Sequence, residues 1–274
     1  MNKASSKISL VLRWAVIITV LAAIYLPLII IIVYSFSATR TIGDDFGEFT
    51  FNLYGKLLRN EKLLSATKNT FVIGLVSASL ATILGTTAAV GIHYMRKKPR
   101  AIVDASSQIT VVNAEIVTAI GFFLLMLFLR DTLLLPIDFS IGWLIIAHTV
   151  ITTPYVILTV SPRLKQLNPN TLEASMDLGA GPLRSLVTVM LPQLAGAMLS
   201  GFALAFTLSL DDFVITNINS LNANIDTIST FVYKGFKHKL PSEIRALSTI
   251  IFVVVLASLI IYNVIKNKNN KRRT

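Results

Sequence analysis

The chain has 274 residues, of which 54% are hydrophobic and only 14% charged. Soluble domains carry about 25% charged residues, so a soluble globular fold is excluded, and with no cysteine so are disulfides, thiol catalysis and iron–sulfur clusters. A net charge of +11 raises nucleic acid as a partner, but the basic residues form no single concentrated face of the kind such binding needs.

Six stretches are almost free of charge: 14–39, 69–92, 105–129 (interrupted by Glu115), 139–162, 185–210 and 246–265. About 20 apolar residues span a bilayer as a helix, and backbone groups in hydrocarbon must be satisfied within the segment. The strand alternation of a membrane barrel is absent. The sequence therefore predicts an all-α membrane protein of six transmembrane helices, at about 14–34, 69–92, 108–129, 140–161, 193–216 and 246–265. A tail of residues 1–13 precedes this domain of 14–265, and an unstructured tail of 266–274 follows it.

Orientation follows from charge. With the N-terminus inside, the inner segments hold fifteen basic residues, among them Arg96, Lys97, Lys98 and Arg100 and the tail residues Lys266, Lys268, Lys271, Arg272 and Arg273. They hold only three acids, Asp104, Glu173 and Asp177. The positive-inside rule then puts both termini in the cytoplasm. Ser35-Phe36-Ser37-Ala38 after the first apolar run resembles a signal cleavage site. The run is longer than a signal's apolar core of about 7–15 residues, so it reads as a retained first helix.

In chain order, span 1 contains Pro27. The external loop 35–68 follows, with Phe46, Phe49, Phe51 and Tyr54 placed for the membrane interface. Span 2 is rich in small residues, which suits packing against protein. A basic turn, 93–104, leads to span 3, where Glu115 is expected about seven residues into the helix. Span 4 holds His148, read as a helix-contact residue, and Pro154. His93, His148 and His238 are too dispersed for a metal motif. Lys234, Lys237 and Lys239, in the external loop after span 5, read as a solvated face or a docking rim. No internal repeat supports the inverted-repeat plan of many secondary transporters.

The cytoplasmic loop 162–192 contains TLEASMDLGAGPLRSLVTVMLP, residues 171–192. Asn170 or Thr171 is placed to cap a helix with Glu173 in its first turn. Gly179 and Gly181-Pro182 break it, and a second helical piece, 183–190, is expected to end before Pro192. Glu173-Ala174-Ser175, Gly179, Val189 and Leu191-Pro192 stand at the spacing of the EAA loop, and the segment resembles that loop of bacterial ABC importer permeases. Ser175 replaces the second Ala, and Val189 an Ile. The resemblance implies a type I (MetI-like) importer permease whose coupling helix docks on a separate ATPase dimer. Glu173, Ala174, Gly179, Leu191 and Pro192 would serve that coupling, with Glu173 paired to a basic residue of the ATPase. The chain has no phosphate loop of its own, so it is expected to be no enzyme and to bind no cofactor, ATP and Mg belonging to the partner.

Carboxylates in or beside spans are costly and usually functional. Glu115 and the Asp211-Asp212 pair are the instances here, and three carboxylates suit a cationic solute such as a polyamine. Structural readings stand beside this one: Glu115 paired with a neighbouring subunit, and Asp211-Asp212 as a solvated helix end. The run from Phe206 to Ile215, including Ser209, Asp211 and Asp212, resembles the PotC-type subunit of spermidine/putrescine importers. So do the stretch Pro241–Ile250 and Glu115-Ile116-Val117. Ala114 stands where that family commonly has Pro, and Leu53 beside Tyr54 where it has Trp-Tyr. The resemblance implies a polyamine pathway lined by Glu115, Ser209, Asp211 and Asp212. It implies as partners a second, PotB-like permease, a PotA-like ATPase dimer and a PotD-like extracytoplasmic binding protein, in a bacterial inner membrane. Another small cargo for the same machine, such as iron or thiamine, and a secondary transporter are the alternatives.

Overall fold

The computed structural model describes residues 3–39, 45–168, 170–220, 223–238 and 241–271; Lys239, Arg272 and Arg273 lie outside them. The described chain is almost entirely helical, with a lone bridge between Ser37 and Phe49. In order the helices are α1 (Lys3–Tyr34), α2 (Asn52–Leu57), α3 (Glu61–Tyr94), α4 (Lys97–Val112) and α5 (Glu115–Leu127), which ends in a π turn, Phe128–Thr132. Then come α6 (Ile141–Gln166), α7 (Asn170–Asp177), α8 (Pro182–Ser185), a second π turn (Leu186–Met190) and α9 (Leu191–Asp211). Last are α10 (Val214–Asn219), α11 (Ile228–His238) and α12 (Glu243–Lys271). Among the described residues four helical runs are long and apolar enough to cross a membrane: Leu12–Tyr34, α3, α6 and Pro182–Asp211.

The chain divides into two units. One comprises residues 1–64 and 234–274, the other 65–233. In the first, no residue of α1 from Leu12 to Ile30 is buried. α12 packs against α1 and α2. Phe36 stacks on Phe49, with ring centroids 5.5 Å apart, and meets Phe51 and Tyr54 at the same distance. Phe36, Phe49, Phe51 and Tyr54 thus form one cluster, braced by Ser35 Oγ against the Tyr54 hydroxyl at 2.9 Å, while Phe46 meets Tyr34 of α1. Arg245 donates to the Thr39 carbonyl at 2.6 Å, tying the start of α12 to the beginning of the first loop.

In the second unit the core lies between α3, α6 and α9, around Ala78, Val156, Leu194 and Ala205. Small residues make this possible. A Cβ on Gly85 would lie 2.7 Å from the Val156 Cβ, so α3 approaches α6 as closely as it does only because that atom is missing. A second cluster joins α5, α6 and α10 through Ala119, Ala147 and Ile215.

Several elements differ from the sequence expectation. Span 3 is not one helix over 108–129. α4 already fills the basic turn, and Asn113 and Ala114 are extended (ψ 143° and 128°) before α5 begins. Span 5 does not run to 216, because Asp212 is extended (ψ 127°) and α10 starts two residues later. α6 passes Pro154 and Pro162 into the expected cytoplasmic loop. The second piece of that loop does not end before Pro192. It runs through a π turn into α9, where the wider turn accommodates a ring that would clash with the carbonyl four residues back. The tail is helical as far as Lys271, since α12 simply continues past its apolar run.

Candidate functional site

Two helix breaks and one continuous helix face build the site. α9 stops at Asp211, and Asp212 then caps α10 with its carboxylate. Oδ1 accepts from the Ile215 amide at 3.2 Å, and Oδ2 from the Thr216 amide at 2.9 Å and the Thr216 hydroxyl at 2.8 Å. Short acidic side chains compete well for exposed amides at a helix start. Across from it, α5 starts at Glu115, so this residue is not seven residues into a helix as the continuous span implied; it opens one. The break persists although Ala114 stands in place of a Pro. Its φ of −64° is the value a Pro would impose, and the Asn113 side chain donates to Thr118 Oγ1 at 3.0 Å across the gap.

α6 supplies the third wall. His148, Ile151, Thr152 and Tyr155 recur at helical spacing on one face. His148 is only 2% exposed, and both ring nitrogens are engaged. Nδ1 lies 2.7 Å from Ser209 Oγ, and Nε2 3.1 Å from Thr216 Oγ1 and 3.4 Å from Asp212 Oδ2. Ser209 Oγ also lies 3.2 Å from Ser77 Oγ of α3. Nearby, buried Asn219 accepts from Trp143 Nε1 at 3.2 Å and donates to the carbonyls of Ala119 and Ile215, each at 3.1 Å. It locks α5, α6 and α10 together.

These walls enclose a cavity of about 130 Å³. Glu115, Ser209, Asp211 and Asp212, the four residues singled out from sequence, all line it, with no Lys or Arg among the described residues of the lining. Their roles differ. Glu115 and Asp211 are exposed, and among the described residues neither side chain makes a hydrogen bond or ion pair. The Asp212 side chain is 6% exposed and fully engaged. The adjacent acids thus divide into an open carboxylate and a buried cap. Sequence reasoning named His148 as a helix contact, which it is, but not as the hub beside Asp212. It missed Asn113, Thr118, Tyr155 and Thr216 altogether. The pattern Asp-x-x-Ile-Thr after a helical run was the available signal for the cap at Asp212.

The loop 162–192 forms a second feature, away from the cavity in sequence. α7 ends at Gly179, where φ is +88°, outside the range comfortable for other residues. The Ala180 amide donates to the Ser175 carbonyl at 3.2 Å and the Gly179 amide to the Met176 carbonyl at 2.9 Å, a Schellman closure. Asn168, rather than Asn170 or Thr171, supplies a side-chain acceptor at the helix start, taking the Asn170 amide at 3.0 Å. Ser175 donates to buried Ser185 Oγ at 2.9 Å, so the departure from Ala joins α7 to α8. Glu173 and Ala174 are exposed, and Leu178 at the turn is 89% exposed. Glu173 also borders a cavity of about 150 Å³ with Tyr94 and Gln193. Leu191 and Pro192 lie at the switch from π to α geometry.

Comparison with known proteins adds the family. Residues 81–274 match the family described as "Binding-protein-dependent transport system inner membrane component". The chain is 32% identical over 261 residues to the spermidine/putrescine transport system permease protein PotC of Haemophilus influenzae, covering 94% of this chain and 98% of the other. It is also 32% identical over 256 residues to the putrescine transport system permease protein PotI of Escherichia coli, with 88% and 86% covered. A crystal structure of a bacterial ABC transporter involved in import of the acidic polysaccharide alginate superposes with a TM-score of 0.66, at 18% identity and over 97% of this chain and 98% of that one. At that identity the likeness concerns the fold. With apolar helices of membrane-crossing length, an EAA-type loop closed at Gly179 and a family match over most of its length, the chain is a multi-pass membrane protein and belongs to the binding-protein-dependent transport system inner membrane components.

Proposed function

We propose that the chain is one of two permease subunits of an ATP-driven importer of polyamines, and that its acidic cavity is part of the translocation path. The carrying observation is the convergence of Glu115, Asp211 and Asp212 on one cavity with no Lys or Arg among the described residues of its lining. A dehydrated ammonium group needs oxygen partners. Glu115 and Asp211 offer carboxylates, and the apolar side chains of Ile151, Leu208 and Ile215 suit the methylenes between amines. An anionic cargo would face only like charge. Relatives named for spermidine and putrescine support the same reading.

The remaining subunits in this reading are a PotB-like permease, a PotA-like ATPase dimer that docks on α7, and a PotD-like extracytoplasmic binding protein. The exposed Glu173, Ala174 and Leu178 and the glycine closure at Gly179 support a docking role for α7. Both termini lie in the cytoplasm, in keeping with the basic inner segments. The chain performs no covalent chemistry.

The test is uptake of labelled spermidine and putrescine in cells lacking this chain, complemented with wild type or with Glu115→Gln/Asp211→Asn. Wild type should restore ATP-dependent uptake. The double variant, inserted in equal amount, should transport at least about tenfold less at subsaturating amine, given roughly 1.5–3 kcal/mol for each lost charge-assisted bond. Equal uptake by both would remove the cavity from the path. Wild type that assembles with its ATPase yet carries neither amine would remove the cargo.

A further inference from the structure

Tyr155 lies near the middle of α6, about 21 Å along a helix of about 39 Å at 1.5 Å per residue. A phenol hydroxyl at that depth has no water to turn to unless a cavity brings it, and Tyr side chains away from water generally find a hydrogen-bond partner. Its neighbours on the same helix do so: Thr152 and Thr153 donate to the His148 and Thr149 carbonyls, both at 2.7 Å. Among the described residues the Tyr155 hydroxyl has no partner. The side chain instead lines the acidic cavity and is the one ring other than the His148 imidazole to do so.

The cavity therefore combines two open carboxylates with an uncommitted phenol and a ring face. Its volume of about 130 Å³ is that of about four waters. That admits an ammonium group with its adjoining methylenes.

Resting on the polyamine reading, we propose that Tyr155 is a cargo-contact residue that sets affinity for aliphatic amines. Its oxygen accepts an N–H of the ammonium held by Glu115 and Asp211, and its ring covers the neighbouring methylenes. Such a contact exists only while cargo is in the cavity, so its loss weakens cargo binding and leaves folding untouched.

The experiment is putrescine uptake kinetics in the assembled importer with wild type, Tyr155→Phe and Tyr155→Leu, with membrane amounts measured for each. Tyr155→Phe, close to isosteric, should raise KM about tenfold with the maximal rate within twofold. Tyr155→Leu should raise KM further, because the ring is lost as well. Wild-type KM in Tyr155→Phe would overturn the hydroxyl contact. A fall in maximal rate at unchanged KM would assign Tyr155 to the conformational cycle instead and overturn the proposal equally. If Tyr155→Leu fails to insert, Tyr155→Phe alone decides. Wild type that carries no amine at all marks the failure of the polyamine reading, and that result is distinct from any change between variants.

Discussion

Asp211 and Asp212 are identical in chemistry and adjacent in sequence, yet they are held in opposite circumstances. Asp212 receives two amides and a hydroxyl, with His148 Nε2 at 3.4 Å; Asp211 stands open at the cavity. Single substitutions should therefore separate. Asp211→Asn leaves the helix break intact and should raise KM for amine without lowering the amount of folded protein. Asp212→Asn keeps one acceptor but loses the charge, costing about 1–3 kcal/mol. It should lower the detergent melting midpoint and the assembled yield. KM and melting curves on the two purified variants decide it; matching behaviour would mean that both carboxylates do one job. His148 belongs to the same argument, because removing the imidazole strips Ser209 and Asp212 of a buried partner.

At the scale of elements, the discontinuities are the informative features. A helix that crosses lipid unbroken satisfies its own backbone, and an extended residue within it is tolerated where protein or a cavity surrounds it. α4/α5 and α9/α10 break at the same cavity. The break after Asn113 is already prepared for proline. Ala114 has φ −64°, and Asn113 before it is extended, as a residue preceding Pro should be. Ala114→Pro should then stabilise the chain by about 0.4–1 kcal/mol through a less flexible unfolded state, read as a raised melting midpoint with uptake unchanged. Destabilisation would show that the Ala114 amide has a use the break does not reveal. The closure of α7 rests on similar local logic, since Gly179 alone takes the positive φ that turns the chain toward α8.

For the whole molecule the composition makes sidedness directly measurable. With no native cysteine, a single introduced thiol reports its own location. Leu58 is 73% and Leu178 89% exposed. A membrane-impermeant thiol reagent applied to intact cells should label Leu58→Cys and spare Leu178→Cys. In inside-out vesicles stripped of the ATPase the pattern should reverse. The opposite pattern would invert the topology and remove α7 from reach of a cytoplasmic ATPase. α1 adds a second whole-molecule feature. An apolar helix with no buried residue between Leu12 and Ile30 is covered by lipid or by another chain, as expected of a protein that works within a bilayer.

The sequence by itself determined the class, the EAA-type loop and four residues that prove to line one cavity, while of its six expected spans four appear as helical runs of membrane-crossing length among the described residues. Those features are written in composition and fixed spacing, and the spacing of 173, 179 and 191–192 needs no folding to be read. It did not determine where the helices stop. Whether Asp212 extends α9 or caps α10 turns on amides three and four residues ahead and on an imidazole 64 positions away. Whether Ala114 bends without proline turns on Asn113 reaching Thr118. Hydropathy averages over such contacts, so it read two broken segments as two continuous spans. Only the tertiary structure decided which carboxylate is open and which is a cap, because only packing distinguishes an oxygen facing a cavity from one already committed to the backbone.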